Sequence, residues 1–323
     1  MNAAEIKSGI ESCLKAQAFD AKQPKHLYEP MAYLLEHEAK RVRPVLAVLA
    51  YRYCGGQNLE GMIETATAIE LVHNFTLMHD DIMDHAPTRR GKATVHEKWD
   101  TNIAILSGDA LFALAYPLLI KNFPHQASEL VNFFTKVVVE VCEGQMEDMD
   151  LAGSATGGIP AYLEMIRKKT AVLIGGSLGI GAIAAGASKE TVNKIYQAGE
   201  LMGIGFQLQD DLLDVYAAQA DFGKQVGGDI IENKKTYLLL RAMEKADRYR
   251  KEALLNWMQH QGNASEKIAG VIQLFNELEI REEVEAKISG YFREAETVLN
   301  SLQDEAGKAE LLSYLEMVFQ RKK

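Results

Sequence analysis

Apolar residues recur along most of the chain with the 3.6-residue period of a helix, and strand-like alternation is weak. The pattern predicts a helix over Glu29–Leu49, interrupted or bent near Pro44, because proline lacks the N–H an interior turn needs. A long helix is predicted over Leu59–Asp84, with Pro87 and Gly91 marking the loop after it. Further helices are expected over Thr101–Phe123 (Pro117 a kink), from Gln126 to Asp150, over Pro160–Ala187 and over Lys189–Val215. Gly153–Pro160 and Gly223–Asp229 read as loops, and from Asn233 onward helical patterns alternate with polar breaks near Gly262-Asn263 and Gly307. The 7 prolines and 25 glycines gather into no linker. The expected architecture is all-α, with 1-323 as a single domain, a bundle of about ten or more helices.

Two of these helices end in the same acidic run. Asp80-Asp81-Ile82-Met83-Asp84 closes the Leu59–Asp84 pattern, and Asp210-Asp211-Leu212-Leu213-Asp214 closes the Lys189–Val215 pattern. On a helix the first and fifth residues share a face, and the second lies about 100° round from the first but near the fifth. Three carboxylates therefore crowd one side of one turn, which is unfavourable unless a cation intervenes. Mg²⁺ takes oxygen ligands and is held by one or two carboxylates plus substrate phosphates. A single run is as readily a solvated acidic face. Two copies, each beside apolar sequence and each followed by basic residues, predict a metal site with Asp80, Asp81, Asp84, Asp210, Asp211 and Asp214 as its residues.

Composition narrows the partner. The net charge of −10 argues against nucleic acid, and 47% apolar residues allow a substantial core. Cys13, Cys54 and Cys142 have neither metal nor disulfide spacing and read as reduced thiols of a cytoplasmic protein. Met1–Ser12 has no signal-peptide core. Ala171–Ala187 is apolar or small throughout and follows Arg167, Lys168 and Lys169, but it is shorter than the roughly 20 residues of a membrane span. It is expected to be a buried helix, and no transmembrane segment is expected.

Local basic knots stand against the acidic balance: Lys40-Arg41-Val42-Arg43-Pro44, Thr88-Arg89-Arg90-Gly91-Lys92, Lys169-Thr170, Gly223-Lys224 and Lys234-Lys235-Thr236. Each alone reads as a solvated charge cluster. Together with the acidic runs they describe polyphosphate held through a metal, with Arg and Lys neutralising the remainder. There is no Walker loop or dinucleotide fingerprint. Leu71, Val72, Phe75, Leu77 and Met78 precede the first run, and Ile204, Phe206 and Leu208 the second. Such residues usually make core. Beside two metal-binding turns they also fit an apolar channel for a hydrocarbon tail with a diphosphate head.

At these motifs the chain resembles the trans-isoprenyl diphosphate synthases, the polyprenyl synthetase family. The resemblance runs from Lys40 to Thr236 and includes His73 ahead of His79-Asp80-Asp81, Gly108-Asp109-Ala110-Leu111, Glu143-Gly144-Gln145 and Phe206-Gln207. It implies the isoprenoid synthase fold, all-α helices around a deep central cavity, usually in a homodimer. It implies head-to-tail condensation of isopentenyl diphosphate with an allylic diphosphate (dimethylallyl, geranyl or farnesyl), using three Mg²⁺ ions, with Mn²⁺ as a substitute. By resemblance, Asp80, Asp84 and Asp210 are direct Mg²⁺ ligands and Asp81 and Asp214 assist. Arg89, Lys169, Gln207, Lys224 and Lys234 would contact the allylic diphosphate, and Thr170 would line the reacting end. Lys40, Arg43, His73 and Arg90 would hold isopentenyl diphosphate. Arg89, Lys169, Thr170, Gln207 and Lys224 would serve the chemical step.

Ala39, Ala93, Asn233 and Leu238 depart from the family pattern at backbone positions, while the charged set is complete. Five and four residues before Asp80, Phe75 and Thr76 lie about one turn down the helix, where the family commonly places a floor that limits the product. A bulky Phe75 implies a short-chain product, C15–C20, with the geranylgeranyl length favoured. The competing readings are a longer-chain polyprenyl synthase, a terpene cyclase, which typically lacks the second full Asp run, and a non-catalytic helical subunit of a heteromeric synthase.

Overall fold

The structure, a computed structural model, describes residues 1–153, 157–216, 227–302 and 307–319. Among these the chain is all-α, as expected, apart from a two-stranded antiparallel hairpin of Thr88–Arg89 with Lys92–Ala93. Between the strands Arg90 and Gly91 have φ of 52° and 75°. Positive φ at both central positions gives a tight turn whose twist matches its strands, and Gly91 adopts it without steric cost. The chain divides into two compact units, Met1–Val137 with Gly176–Tyr196 and Leu302–Lys323, and Val138–Gly175 with Gln197–Ser301. Three of the four boundaries fall within helices, and the fourth follows the end of Ile280–Asn300.

In the first unit the 25-residue helix Leu59–Met83 is the central element. Asn58 starts it by accepting the Gly61 N–H at 3.0 Å, which satisfies one of the donors a helix start leaves open. It is apolar on most of its circumference, as a helix buried on several sides must be. It packs along Thr101–Ile120 and against Val42–Tyr53 and Ala3–Ala16. In the second unit Ile159–Ile166, Tyr237–Lys245, Ala264–Glu277 and Ile280–Asn300 close around a core that includes Tyr162, Leu208, Leu238, Phe275 and Val284.

Three sequence expectations change. The helix expected over Glu29–Leu49 is two helices, Lys25–Leu35 and Val42–Tyr53. Pro44 does not break it. It sits in the first turn of the second helix, where a missing N–H costs nothing. The break falls before Arg41, which has φ 51° and turns its side chain inward. Its Nη1 donates to Glu70 Oε1 at 2.6 Å, both side chains being 3% exposed, and its Nη2 donates to the carbonyls of Leu35 and His37. The helix expected over Pro160–Ala187 is interrupted by a π turn at Arg167–Ala171. Residues 171–184 are buried throughout, as expected. The span long and apolar enough to cross a membrane, among the described residues, is instead Thr101–Ile120, with 33% of its most apolar window buried. Cys13, Cys54 and Cys142 are not joined in disulfides.

Removing one partner of the Arg41–Glu70 pair strands a charge in the interior. Glu70→Ala is therefore expected to lower unfolding free energy by about 3 kcal/mol or more. The measurement is denaturant unfolding of both proteins, and a loss below about 1 kcal/mol would show that Arg41 finds water instead.

Candidate active site

The first acidic run occupies the carbonyl end of Leu59–Met83. Asp84 is the C-cap, and its N–H donates to the Asp80 carbonyl at 2.9 Å. The negative end of the helix dipole and the last unpaired carbonyls meet there, so carboxylates raise the local negative potential rather than relieve it. The three aspartates do not share one exposed side, as the spacing alone suggested. Asp84 is exposed and Asp80 half-buried, whereas Asp81 is 2% exposed. Arg89, on the hairpin, turns back onto the run: Nε donates to Asp81 Oδ1 at 2.7 Å, and Nη2 lies 3.6 Å from Asp80 Oδ2. Burial pushes the Asp81 carboxyl up, and Arg89 pulls it back toward the ionised form.

Beside this run is the basic knot. Lys40 is exposed and Arg43 half-buried, whereas Arg41 is spent on the interior ion pair. Arg43 Nη1 meets His73 Nε2 at 3.1 Å. A guanidinium has no acceptor, so Nε2 accepts and the imidazole proton sits on Nδ1. Burial, then Arg43, Arg90, Arg89 and Arg41, hold His73 well below its usual range. Four guanidiniums acting on one neutral imidazole mark a place suited to a polyanion.

Phe75 is half-buried one turn below the run. Its ring meets His79 edge-on at 4.7 Å and Phe112 at 5.3 Å, and the row continues through Tyr116 to Phe134 at 5.3 and 5.8 Å. Thr76 turns its hydroxyl to the His73 carbonyl at 2.8 Å. Sequence reasoning found Phe75 and missed Phe112 and Tyr116. Their four-residue spacing on Thr101–Ile120 is the signal that places them on one helix face.

In the second unit Lys169 and Thr170 lie inside the π turn. Two glycines allow it to pack. A Cβ on Gly144 would overlap the Lys169 backbone nitrogen, and one on Gly203 would come within 2.5 Å of the Ala171 Cα. Lys169 Nζ donates to Asp148 Oδ2 at 2.6 Å, and Thr170 Oγ1 to Gln207 Oε1 at 3.0 Å. Gln207 Nε2 donates to Asp211 Oδ1 at 3.0 Å, and the Tyr162 hydroxyl donates to Asp211 Oδ2. Asp211 is 3% exposed; burial first, then Asp229, pushes it up to about 7, against the pull of Tyr162. Asp210 is half-buried, and Asp214 accepts the Asp229 N–H at 3.0 Å. Lys234 Nζ lies 3.8 Å from Asp229 Oδ1. Asn233, which departs from the family pattern, has φ 56°, a conformation asparagine tolerates better than most residues. Lys224 lies outside the described residues.

Among the described residues no three His, Cys, Asp or Glu side chains are gathered for a metal. Mg²⁺ is commonly held by only one or two carboxylates, with phosphate oxygens and water completing its octahedron. Aspartate oxygens are ligands of the kind Mg²⁺ takes.

The chain is similar to known proteins over most of its length. The polyprenyl synthetase family model matches residues 24–275. The chain is 42% identical over 225 residues to a geranylgeranyl diphosphate synthase of Methanosarcina mazei, covering 69% of each chain. It is 34% identical over 330 residues to the geranylgeranyl diphosphate synthase of Sulfolobus acidocaldarius, covering 99% of this chain and 97% of that one. A crystal structure of a geranylgeranyl pyrophosphate synthase superposes with a TM-score of 0.94 at 35% identity, covering 100% of both chains.

Gly144→Ala places a methyl where the Lys169 backbone stands. It is expected to cost about 1–3 kcal/mol of stability and to lower turnover more than Glu143→Ala, its exposed neighbour. Unfolding and rate assays of the two variants check this, and equal rates would mean the π turn tolerates displacement.

Proposed function

The chain belongs to the polyprenyl synthetase family and is a trans-isoprenyl diphosphate synthase of the short-chain type, and from that premise we propose its product and the role of each residue. The favoured product is geranylgeranyl diphosphate, made from isopentenyl diphosphate and dimethylallyl, geranyl or farnesyl diphosphate. The observation that carries the assignment is the pair of Asp-Asp-x-x-Asp runs on long helices, with Arg89 already bonded to the first, and with Lys169 held by Asp148 in the π turn of the second unit. The family model spans segments of both units, which supports reading 1–323 as one functional domain.

Asp80, Asp84 and Asp210 are assigned as Mg²⁺ ligands, assisted by Asp81 and Asp214, with three ions expected. When bound, Mg²⁺ neutralises the charge that grows on a departing diphosphate. Arg89, Lys169 and Lys234, with Lys224, neutralise the rest of that charge, and their position is set in advance where carboxylates already hold them. The allylic C–O bond breaks and its electron pair leaves with diphosphate. Thr170 and Gln207 present oxygen atoms to the allylic cation. Lys40, Arg43, His73 and Arg90 hold isopentenyl diphosphate so that its terminal alkene carbon bonds to the cation. The resulting tertiary cation loses a neighbouring proton to the released diphosphate, which restores a double bond. No protein nucleophile is needed, and apolar walls keep water from the cation. The growing tail runs toward the Phe75 row.

Thr101–Ile120 exposes Leu106 (59%) and Ile105 (38%), and Ala127–Gly153 exposes Val139, Met146 and Met149. Such faces support a homodimer. Three cysteines outside any disulfide fit a reducing compartment, the cytoplasm.

The principal experiment supplies isopentenyl and farnesyl diphosphates with Mg²⁺ to the purified protein. Geranylgeranyl diphosphate is expected; a folded sample that makes no elongated product would instead be a silent subunit. Asp80→Ala and Asp210→Ala should each lower kcat by at least about a hundredfold. Phe75→Ala should lengthen the products seen by mass spectrometry, and an unchanged distribution would place the floor elsewhere. Leu106→Glu should shift sedimentation from dimer toward monomer, and a parent that sediments as monomer would remove the homodimer.

A further inference from the structure

Tyr162 has no role in the scheme above, yet its hydroxyl is buried against a residue of the second acidic run. It sits on Ile159–Ile166, seven residues before Lys169, and begins an unbroken chain of hydrogen bonds: Tyr162 to Asp211 Oδ2, Gln207 Nε2 to Asp211 Oδ1 at 3.0 Å, and Thr170 Oγ1 to Gln207 Oε1 at 3.0 Å. Both carboxylate oxygens of Asp211 are thereby used on protein donors.

With Asp211 ionised, the chain has one consistent direction. A carboxylate accepting on both oxygens requires that Tyr162 and Gln207 donate to it. The amide nitrogen of Gln207 then faces Asp211, and its oxygen faces Thr170. The Thr170 proton points at that oxygen, so the hydroxyl lone pairs face away from the chain. An amide is nearly symmetric in shape, and without a fixed acceptor its two ends exchange at little cost. Asp211 supplies that acceptor. Because hydrogen bonds in sequence polarise one another, the buried negative charge is felt at Thr170 as added electron density. A bare carboxylate at the same point would itself bond to an allylic cation, as carboxylate nucleophiles do. An amide and a hydroxyl supply the potential with far less tendency to form that ester.

We propose that Tyr162 is a positioning residue for the condensation: through Asp211 it locks the Gln207 amide with its oxygen toward Thr170, and Asp211 serves this relay rather than ligating Mg²⁺. The inference rests on the prenyltransferase reading. It extends the reaction machinery to a phenol remote in sequence from both acidic runs, and it separates the middle aspartate of the second run from the outer two.

The test compares the parent with Tyr162→Phe, which keeps the ring and removes the hydroxyl. The expected result is a fall in kcat of about tenfold or more, the size associated with a hydrogen bond to a charged group. The KM for both diphosphates, and the calorimetric Kd for a non-ionising allylic thiolodiphosphate with Mg²⁺, should stay within about twofold. In a Gln207→Ala background the same change should cost almost nothing further, because the relay acts through that amide. Asp211→Asn, which serves if Tyr162→Phe does not fold, should lower kcat while leaving the Mg²⁺ concentration for half-maximal rate unchanged, whereas Asp210→Asn should raise it. An unchanged kcat in Tyr162→Phe, a full additive loss in the Gln207→Ala background, or a raised Mg²⁺ requirement in Asp211→Asn would each overturn the proposal. A parent that makes no elongated product would instead overturn the reading beneath it.

Discussion

Negative charge concentrated at the carbonyl end of a helix is the constraint on which this protein depends. The run Asp80–Asp84 closes Leu59–Met83, where the helix dipole is already negative, and the run Asp210–Asp214 lies in the last two turns of the described part of Lys189–Tyr216. Neither arrangement stabilises the chain by itself. Each favours cations, and the fold supplies some of its own: Arg89 on the hairpin answers Asp81 and Asp80, and Lys234 approaches Asp229, whose N–H is bonded to Asp214. The remaining negative potential is what metal ions and a diphosphate can use.

The two runs divide their carboxylates in the same way. The second aspartate of each is turned inward, Asp81 at 2% and Asp211 at 3% exposure, while the first and last keep access to the surface. Helix geometry is the cause. The second position lies about 100° from the first, so when the first faces a ligand the second faces packed side chains. Burial then obliges the inward carboxylate to find donors, Arg89 in one case and Tyr162 with Gln207 in the other. A motif that looks like three equivalent ligands therefore becomes two outward groups and one that organises its neighbours.

Backbone proximity matters as much as charge in the second unit. The π turn at Arg167–Ala171 places Lys169 and Thr170 where Asp148 and Gln207 can hold them, and the missing side chains of Gly144 and Gly203 let that widened turn sit against its neighbours. In the first unit the comparable feature is the buried Arg41–Glu70 pair, which fixes the break between two helices and so the entry to Lys40 and Arg43.

The sequence by itself determined the helical class, the two acidic runs and most of the basic groups that answer them, because period and charge spacing are local properties that survive without a partner. It placed both ends of Leu59–Met83 to within a residue, and the start of Lys189–Tyr216. Only the tertiary structure decided which charges are for chemistry and which for the interior. Arg41 and Arg43 are two residues apart in one knot, yet Arg41 reaches Glu70, 29 positions away, and leaves the site. The inward turn of Asp81 and Asp211, the π turn, the row from Phe75 through Phe112, and the exposed side of Thr101–Ile120 were likewise decided there. Each depends on which surfaces pack together, and packing joins residues distant in sequence whose spacing carries no period to read.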